Sequence, residues 1–94
     1  MNRTITKITN EMFNSPLDYF YKKSGNYEVM RDSHCEFIIK HYYYGNCICR
    51  VDLTENYFDL FNCGYNPSTL TTAQLNFLER FYKSKGYKLN YKGY

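Results

Sequence analysis

The clearest pattern in the chain is an alternation of apolar and polar residues through its middle part. A period of two is typical of strands that bury one face, and turn residues interrupt it at short intervals. The pattern predicts four strands, over residues 27–31, 35–43, 47–53 and 58–62. We therefore expect an antiparallel meander of three to four strands with one apolar face.

The requirement that apolar side chains share one face sets the pairing of these strands. A slip of one residue turns every side chain to the opposite face, which would place Lys40 and Glu36 among apolar partners. A three-residue turn over residues 44–46 avoids this slip in the first hairpin, and a four-residue turn suits the second hairpin. The predicted pairs are Tyr43 with Cys47, His41 with Cys49, Ile39 with Val51, Phe37 with Leu53, Leu53 with Phe58, and Val51 with Leu60.

A helical pattern follows the meander. Thr71 and Gln74 have the spacing of a capping box, which marks the start of a helix, and Gly86 marks its end. Between them, apolar residues recur at helical spacing on a stripe that is wide enough to cover the apolar face of the sheet. The stripe consists of Leu75, Phe77, Leu78, Phe81 and Tyr82.

The N-terminal part is less regular. Ser15 can cap a helix and Pro16 suits its first position, so a short helix is predicted from there to Gly25. Residues 1–14 fit either a short helix or a flexible, extended arm. Residues 87–94 form a tail that can add an edge strand to the sheet.

Together these elements predict a single α+β domain over residues 1–94. It is a three- to four-stranded antiparallel meander packed on a C-terminal helix, with a short N-terminal helix. A chain of 94 residues has room for one modest core.

The aromatic content adds a candidate binding surface. The chain has 12 Tyr and 7 Phe but no Trp. An A/T-rich coding bias accounts for their number, while Tyr is also enriched at protein interfaces. The face of the meander opposite the apolar one presents aromatic and aliphatic side chains, Ile48 among them, between charged residues. Either the N-terminal helix covers this face or it is a contact patch. The candidate partner-binding residues on it are Tyr42, Arg50, Tyr57 and Phe61.

Charge is unevenly distributed along the chain. The net charge is only +3, yet residues 79–94 contain five cations and one acid. Cations interleaved with tyrosines can bind phosphates and stack on bases, although a solvated helix end and tail give the same composition. The candidate nucleic-acid-binding residues are Arg80, Lys83, Lys85, Tyr87, Lys88, Tyr91 and Lys92.

The sequence contains little that points to catalysis. His41 and Cys49 are predicted to lie opposite each other, as a thiol–imidazole pair requires, but both face the core, where they are interpreted as packing residues. The four cysteines lack the paired Cys-x-x-Cys spacing of zinc knuckles; they are Cys35, Cys47, Cys49 and Cys63. We predict neither an enzyme nor a cofactor or metal site.

The N-terminus bears on the compartment. It lacks the apolar run of a secretion signal, and no stretch of the sequence is apolar for long enough to span a bilayer. We therefore expect a cytoplasmic protein with no membrane contact and with free thiols, because the cytosol is reducing.

A short motif carries a resemblance. Residues 60–65 (LFNCGY), the pair Thr71 and Thr72, and residues 75–77 (LNF) together resemble a small domain of unknown function found in phage and mobile-element genomes. The resemblance implies a phage accessory protein in the host cytoplasm, a class that includes anti-CRISPR proteins and other inhibitors of host defence.

These observations predict a small phage-encoded binding protein that inhibits a host defence nuclease, such as a CRISPR effector, by protein–protein contact. The alternative is a nucleic-acid-binding phage accessory protein that uses the basic, Tyr-rich C-terminus. An exposed edge of the meander would also allow a homodimer.

Overall fold

A six-stranded sheet with two helices forms the protein in a computed structural model that describes residues 3–62 and 69–94. The strands follow one another across the sheet in chain order. In chain order the elements are α1 (Arg3–Asn14), β1 (Tyr19–Ser24), β2 (Tyr27–Asp32), β3 (Ile38–Tyr43), β4 (Asn46–Asp52), β5 (Tyr57–Phe61), α2 (Thr69–Ser84) and β6 (Lys88–Gly93).

The sheet is mixed because the last connection differs from the others. Neighbouring strands from β1 to β5 are antiparallel, whereas β6 runs parallel to β5 after α2 has carried the chain back along the sheet. The predicted α+β class, the meander and the C-terminal helix are confirmed. The predicted number of strands was too low, because each end of the meander carries an additional strand; the one at the C-terminal end, β6, is the edge strand that the sequence allowed for residues 87–94.

The first additional strand lies where the sequence predicted a helix after Ser15. Residues 19–24 pair with β2 across a turn at Gly25, whose φ is +60°. The Ser15 hydroxyl accepts a hydrogen bond from the Leu17 backbone, 3.2 Å away, within a local turn. The helix instead covers residues 3–14, so the extended-arm alternative is wrong for these described residues.

The predicted strand over residues 35–43 begins only at Ile38. The Asp32 carboxylate accepts hydrogen bonds from the backbone nitrogens of His34 and Cys35, at 3.0 and 2.8 Å, and so closes a turn. Phe37 then has a φ of +55°, and its side chain is 46% exposed. Cys35 and Phe37 therefore lie outside the core, contrary to the prediction.

The first predicted hairpin has the expected register at its centre but not at its turn. His41 pairs with Cys49, and Ile39 pairs with Val51, as predicted. Beyond them Tyr42 pairs with Cys47, so that Ile48 is an extra residue in a bulge. Ile48 is consequently buried in the core, and the side chain of Cys47 lies on the opposite face; both predictions were wrong.

The second hairpin keeps its faces but shifts its register by two residues. Val51 pairs with Phe58 rather than Leu60, and the four-residue turn spans residues 53–56, with Asn56 at a φ of +61°. A shift of two residues preserves the alternation of faces, so the apolar face of β5 is the predicted one.

The core lies between the sheet and both helices. Ile5, Ile8 and Met12 of α1, at helical spacing, are buried there together with the stripe of α2. Helix α2 begins at Thr69, two residues before the predicted cap, and the side chain of Thr71 is outside the described residues, as are Cys63 and Gly64. Within the described ranges, neither helix is long and apolar enough to cross a membrane.

A buried arginine ties α1 to the sheet. The Arg31 guanidinium donates hydrogen bonds to the backbone carbonyls of Met12 and Leu17, and to that of Ser15 at 3.0 Å. These carbonyls lie in the last turn of α1 and just beyond it, where a cation is favoured by the helix dipole.

Replacing Arg31 with lysine is expected to lower the free energy of unfolding by about 1.5 kcal/mol, because one ammonium cannot reproduce the planar fork that reaches three carbonyls. Urea denaturation measures the change. The matched control is Arg50→Lys, since Arg50 is exposed. Equal effects of the two substitutions would contradict the assignment.

Candidate interaction face

One face of the sheet is free of helices in the described part of the chain. Helix α1 contacts β1 and β2, and α2 contacts β4, β5 and β6. The Phe13 ring of α1 meets the rings of Phe81 and Tyr82 of α2, with centroids 5.4 and 6.5 Å apart, so both helices lie on the same side. We call the opposite side the outer face. The alternative in which the N-terminal helix covers this face is therefore wrong.

The outer face is rich in aromatic side chains from four of the six strands. Strand pairing places opposed residues on one face, which assigns each side chain. Tyr19, Tyr21 and Tyr91 are 58%, 51% and 54% exposed. The aromatic residues of this face are Tyr19, Tyr21, Tyr42, Tyr57, Phe61 and Tyr91.

The Tyr91 ring is held on this face by its neighbours. It packs against Phe61 at a centroid distance of 5.7 Å and lies directly over Gly93. A Cβ atom at Gly93 would come within 2.9 Å of the Tyr91 ring, so any larger residue there would displace the tyrosine. Glycine at this position thus gives the ring its place beside Phe61.

The charges of the outer face balance. Arg50 approaches the buried carboxylate of Asp59 at 3.4 Å, and the same carboxylate accepts a hydrogen bond from Asn90 at 2.9 Å. The cations on this face are Lys23, Lys40, Arg50 and Lys88. The acids on the paired strands are Glu28, Asp32, Asp52 and Asp59, which equal the cations in number, and Glu36 beside the sheet adds one more acid.

A cavity of about 250 Å³ opens on the outer face near the turn between β4 and β5. Phe37, at its positive φ, is part of its wall. A left-handed backbone is costly for an aromatic residue, so the surrounding structure must hold Phe37 there. The lining residues are Glu36, Phe37, Ile38, Arg50, Asp52 and Tyr57.

The four residues predicted to bind a partner all lie on the outer face. Arg50 and Tyr57 line the cavity, Phe61 lies beside Tyr91, and Tyr42 is half-buried next to Cys47. Partial burial raises the pKa of the Tyr42 hydroxyl, which keeps it protonated at neutral pH.

Sequence reasoning missed three tyrosines of this face. Tyr19 and Tyr21 fell in the segment predicted as helix, and Tyr91 was grouped with the basic tail. The signal that could have revealed the first two is the alternation in residues 19–24 (YFYKKS), which places them on one side of a strand. A hydrogen bond from the Tyr21 hydroxyl to Glu28, at 2.7 Å, raises the pKa of Tyr21.

The residues predicted to bind nucleic acid do not form one surface. Lys83 and Lys92 both pair with Glu79, at 2.8 and 3.1 Å, on the helix side of the sheet. The Lys85 ammonium lies over the Phe13 ring, 5.2 Å from its centroid, at the end of α2.

The other members of that set are equally dispersed. Arg80 is exposed on α2, while Tyr87 is half-buried against Tyr82 with ring centroids 5.8 Å apart. Lys88 and Tyr91 lie on the outer face. The interleaving of lysine and tyrosine along a strand therefore sends alternate side chains to opposite sides of the sheet.

The predicted thiol–imidazole pair lies inside the core. The His41 imidazole Nε2 is 2.5 Å from the Tyr82 hydroxyl, and burial lowers the pKa of His41 to about 3. Burial also raises the pKa of the Cys49 thiol. Both groups are therefore neutral at pH 7, and the arrangement is that of a buried hydrogen bond beside a packed thiol.

The two other cysteines that the structure describes lie outside the core. Cys35 is exposed in a turn and Cys47 lies on the outer face. Within residues 3–62 and 69–94, no three His, Cys, Asp or Glu side chains are grouped so that they could hold a metal ion.

Comparison with known proteins adds no relative. The chain matches no protein-family model, no curated protein and no solved structure. The outer face is therefore interpreted from its own chemistry and geometry.

Proposed function

We propose that the chain is a binding protein that recognises another protein through the outer face of its sheet. The observation that carries the proposal is the set of six aromatic side chains on a sheet face that neither helix covers. A helix-free sheet face in a small domain is normally polar. Tyrosine and arginine around a pocket are instead the composition of interaction hot spots.

The balance of charge favours a protein over a nucleic acid. Binding to a phosphate backbone needs more cations than acids, and on the outer face the cations do not outnumber the acids. Asp59 and Asp52 flank Arg50 by strand pairing and by the 3.4 Å ion pair, and they would repel phosphates at the same place. A protein partner can offer both signs of charge to such a surface.

The cavity beside Phe37 is the proposed anchor site. Its lining combines Ile38 and the aromatic residues Phe37 and Tyr57 with the charged residues Arg50, Glu36 and Asp52, which suits insertion of one apolar side chain with a polar tip. The Asp59 carboxylate accepts a hydrogen bond from Arg50, and Asn90 donates a hydrogen bond to the same carboxylate. These contacts orient the guanidinium before a partner binds.

The class of partner is proposed from the resemblance to the phage and mobile-element domain. We propose a host defence nuclease of the CRISPR type, inhibited because the outer face occupies part of the surface that the nuclease needs. The cytoplasm of the host cell is the compartment in which this contact would occur.

The experiment measures binding and inhibition with purified components. The chain is titrated against purified CRISPR effector nucleases loaded with guide RNA, and both complex formation and cleavage of target DNA are followed. We expect one effector to bind and to lose activity with equal molar amounts of the chain. The double variant Arg50→Gln/Tyr57→Ser should weaken that binding by about 10- to 100-fold, because both residues line the anchor cavity.

The control is Arg80→Gln/Tyr44→Ser, which makes the same changes at an exposed helix position and in the turn between β3 and β4. Equal losses in the two double variants would overturn the outer face as the binding site. Absence of binding to every effector would overturn the proposed partner class. If the chain binds single-stranded DNA at low salt and Lys88→Gln weakens it, the nucleic-acid alternative replaces this proposal.

A further inference from the structure

The two edges of the sheet, β1 and β6, differ in what they offer to another strand. Strand β1 contributes six residues with three aromatic side chains, and alternate positions along it are exposed. An unprotected edge of this kind is a template for strand addition.

The backbone groups on the free edge of β1 follow from its pairing with β2. The turn at Gly25 and Asn26 closes on the pair Ser24–Tyr27, which in a two-residue hairpin exchanges both of its hydrogen bonds. Every second residue of β1 then bonds to β2, beginning with Ser24. The hydrogen bond from the Ser33 backbone nitrogen to the Asp18 carbonyl, at 2.8 Å, agrees with this alternation. The N–H and C=O groups that point to the free edge therefore belong to Tyr19, Tyr21 and Lys23.

We propose that the free edge of β1 pairs antiparallel with the same edge of a second copy of the chain, about a two-fold axis at Tyr21. This axis places Tyr21 opposite Tyr21 of the second copy and Tyr19 opposite Lys23 of the second copy. All the opposed residues carry edge-facing backbone groups, so each pair can exchange two hydrogen bonds. The proposal does not depend on the identity of any partner protein.

The side chains are complementary in the same register. Tyr19, Tyr21 and Lys23 share the outer face, so the dimer joins two tyrosines at its axis and sets a lysine against a tyrosine on each side. Like charges are not directly opposed on this face. The hydrogen bond to Glu28 already restrains the Tyr21 ring, which lowers the entropic cost of pairing.

The other edge lacks this complementarity. If β6 paired with itself about Asn90, Lys88 would stand opposite Lys92 of the second copy, and two such contacts would repel. The pairing is therefore assigned to β1. Because each copy uses the same edge, the assembly is complete with two copies.

In the dimer the outer faces of the two copies form one surface. Because the two-fold axis is perpendicular to the sheet, both outer faces lie on the same side and become continuous across β1. Each dimer would present two anchor cavities, so that a partner with repeated sites would be bound through two contacts.

The test is the mass in solution of the full chain and of two matched variants. Sedimentation equilibrium of the wild type should show a rise from 11.4 kDa to twice that value with increasing concentration, because a single-strand interface is small. Tyr21→Lys places two ammonium groups at the axis and should weaken the dimer by about tenfold or more. The control is Tyr91→Lys, the same change at an equally exposed tyrosine of β6, which should leave the dimer intact.

Amide hydrogen exchange locates the interface. In the wild type, exchange at Tyr19, Tyr21 and Lys23 should slow as concentration rises, while Phe20 and Lys22 stay protected at every concentration by their bonds to β2. A wild type that remains at 11.4 kDa at about 1 mM overturns the proposal. Equal weakening by both variants, or species larger than a dimer, would do the same, since either result assigns association to another surface.

Discussion

Replacing Tyr82 with alanine is expected to lower the free energy of unfolding by about 4 kcal/mol. Tyr82 is fully buried, and its ring lies among those of Phe13, Phe58 and Phe81, with centroids 5.1 to 6.5 Å away. It therefore joins α1, α2 and the sheet at one point. Alanine would leave a cavity that three elements cannot all move to close, and it would remove the partner of His41.

Two further variants separate the contribution of the Tyr82 hydroxyl from that of its ring and provide a control. Tyr82→Phe keeps the ring and removes the hydroxyl, so it should cost about 1 to 2 kcal/mol for the hydrogen bond lost at the buried His41. Tyr94→Ala, at a partly exposed tyrosine near the chain end, should cost less than about 0.5 kcal/mol. Urea denaturation gives all three values. A Tyr82→Ala protein within about 1 kcal/mol of the wild type would show that Tyr82 does not hold the layers together.

Acid is expected to destabilise the protein through His41. Burial lowers the pKa of His41 to about 3 in the folded state, whereas its ordinary value is 6.5. Between these two pKa values His41 is protonated in the unfolded chain but neutral in the folded chain. The contribution of neutral His41 to the free energy of unfolding is therefore fully present above pH 6.5 and declines as the pH falls towards 3. Between pH 7 and pH 5 the free energy of unfolding should fall by about 2 kcal/mol.

The histidines provide their own control. His41→Gln should largely remove the loss between pH 7 and pH 5, while His34→Gln should retain it because His34 is exposed. The lowered pKa values of Glu11 and Glu79 affect stability only below their ordinary value of 4.5, outside this window. Urea denaturation at several pH values measures the slope, and a wild type that is equally stable at both values would contradict a neutral, buried His41.

The central strands were predictable because their signal is local. The alternation of apolar and polar residues indicates which side chains are buried. Because a slip of one residue would expose them, His41 pairs with Cys49 as expected. The same alternation is sufficient to place Tyr42, Arg50, Tyr57 and Phe61 together on one face of the sheet.

The errors arose where local signals were ambiguous. Ser15 and Pro16 have the residue types of a helix start, but residues 19–24 gain a ladder of hydrogen bonds by pairing with β2 across Gly25, and this pairing prevails. The bulge at Ile48 depends on how the turn at Gly45 joins two strands of unequal length, which an alternation pattern does not encode.

The sequence by itself determined the class of the fold, the faces of the central strands outside the bulge at Ile48, and the C-terminal helix, because those features follow from the period of apolar residues along a short segment. Only the tertiary structure decided that residues 19–24 form one edge of the sheet, that the tail pairs parallel to β5 at the other edge, and that both helices share one face. Those outcomes depend on contacts between distant residues, such as Phe13 with Phe81 and Tyr57 with Lys88. Among the described residues they also leave the outer face without a helix, which is the physical basis of the function proposed for it.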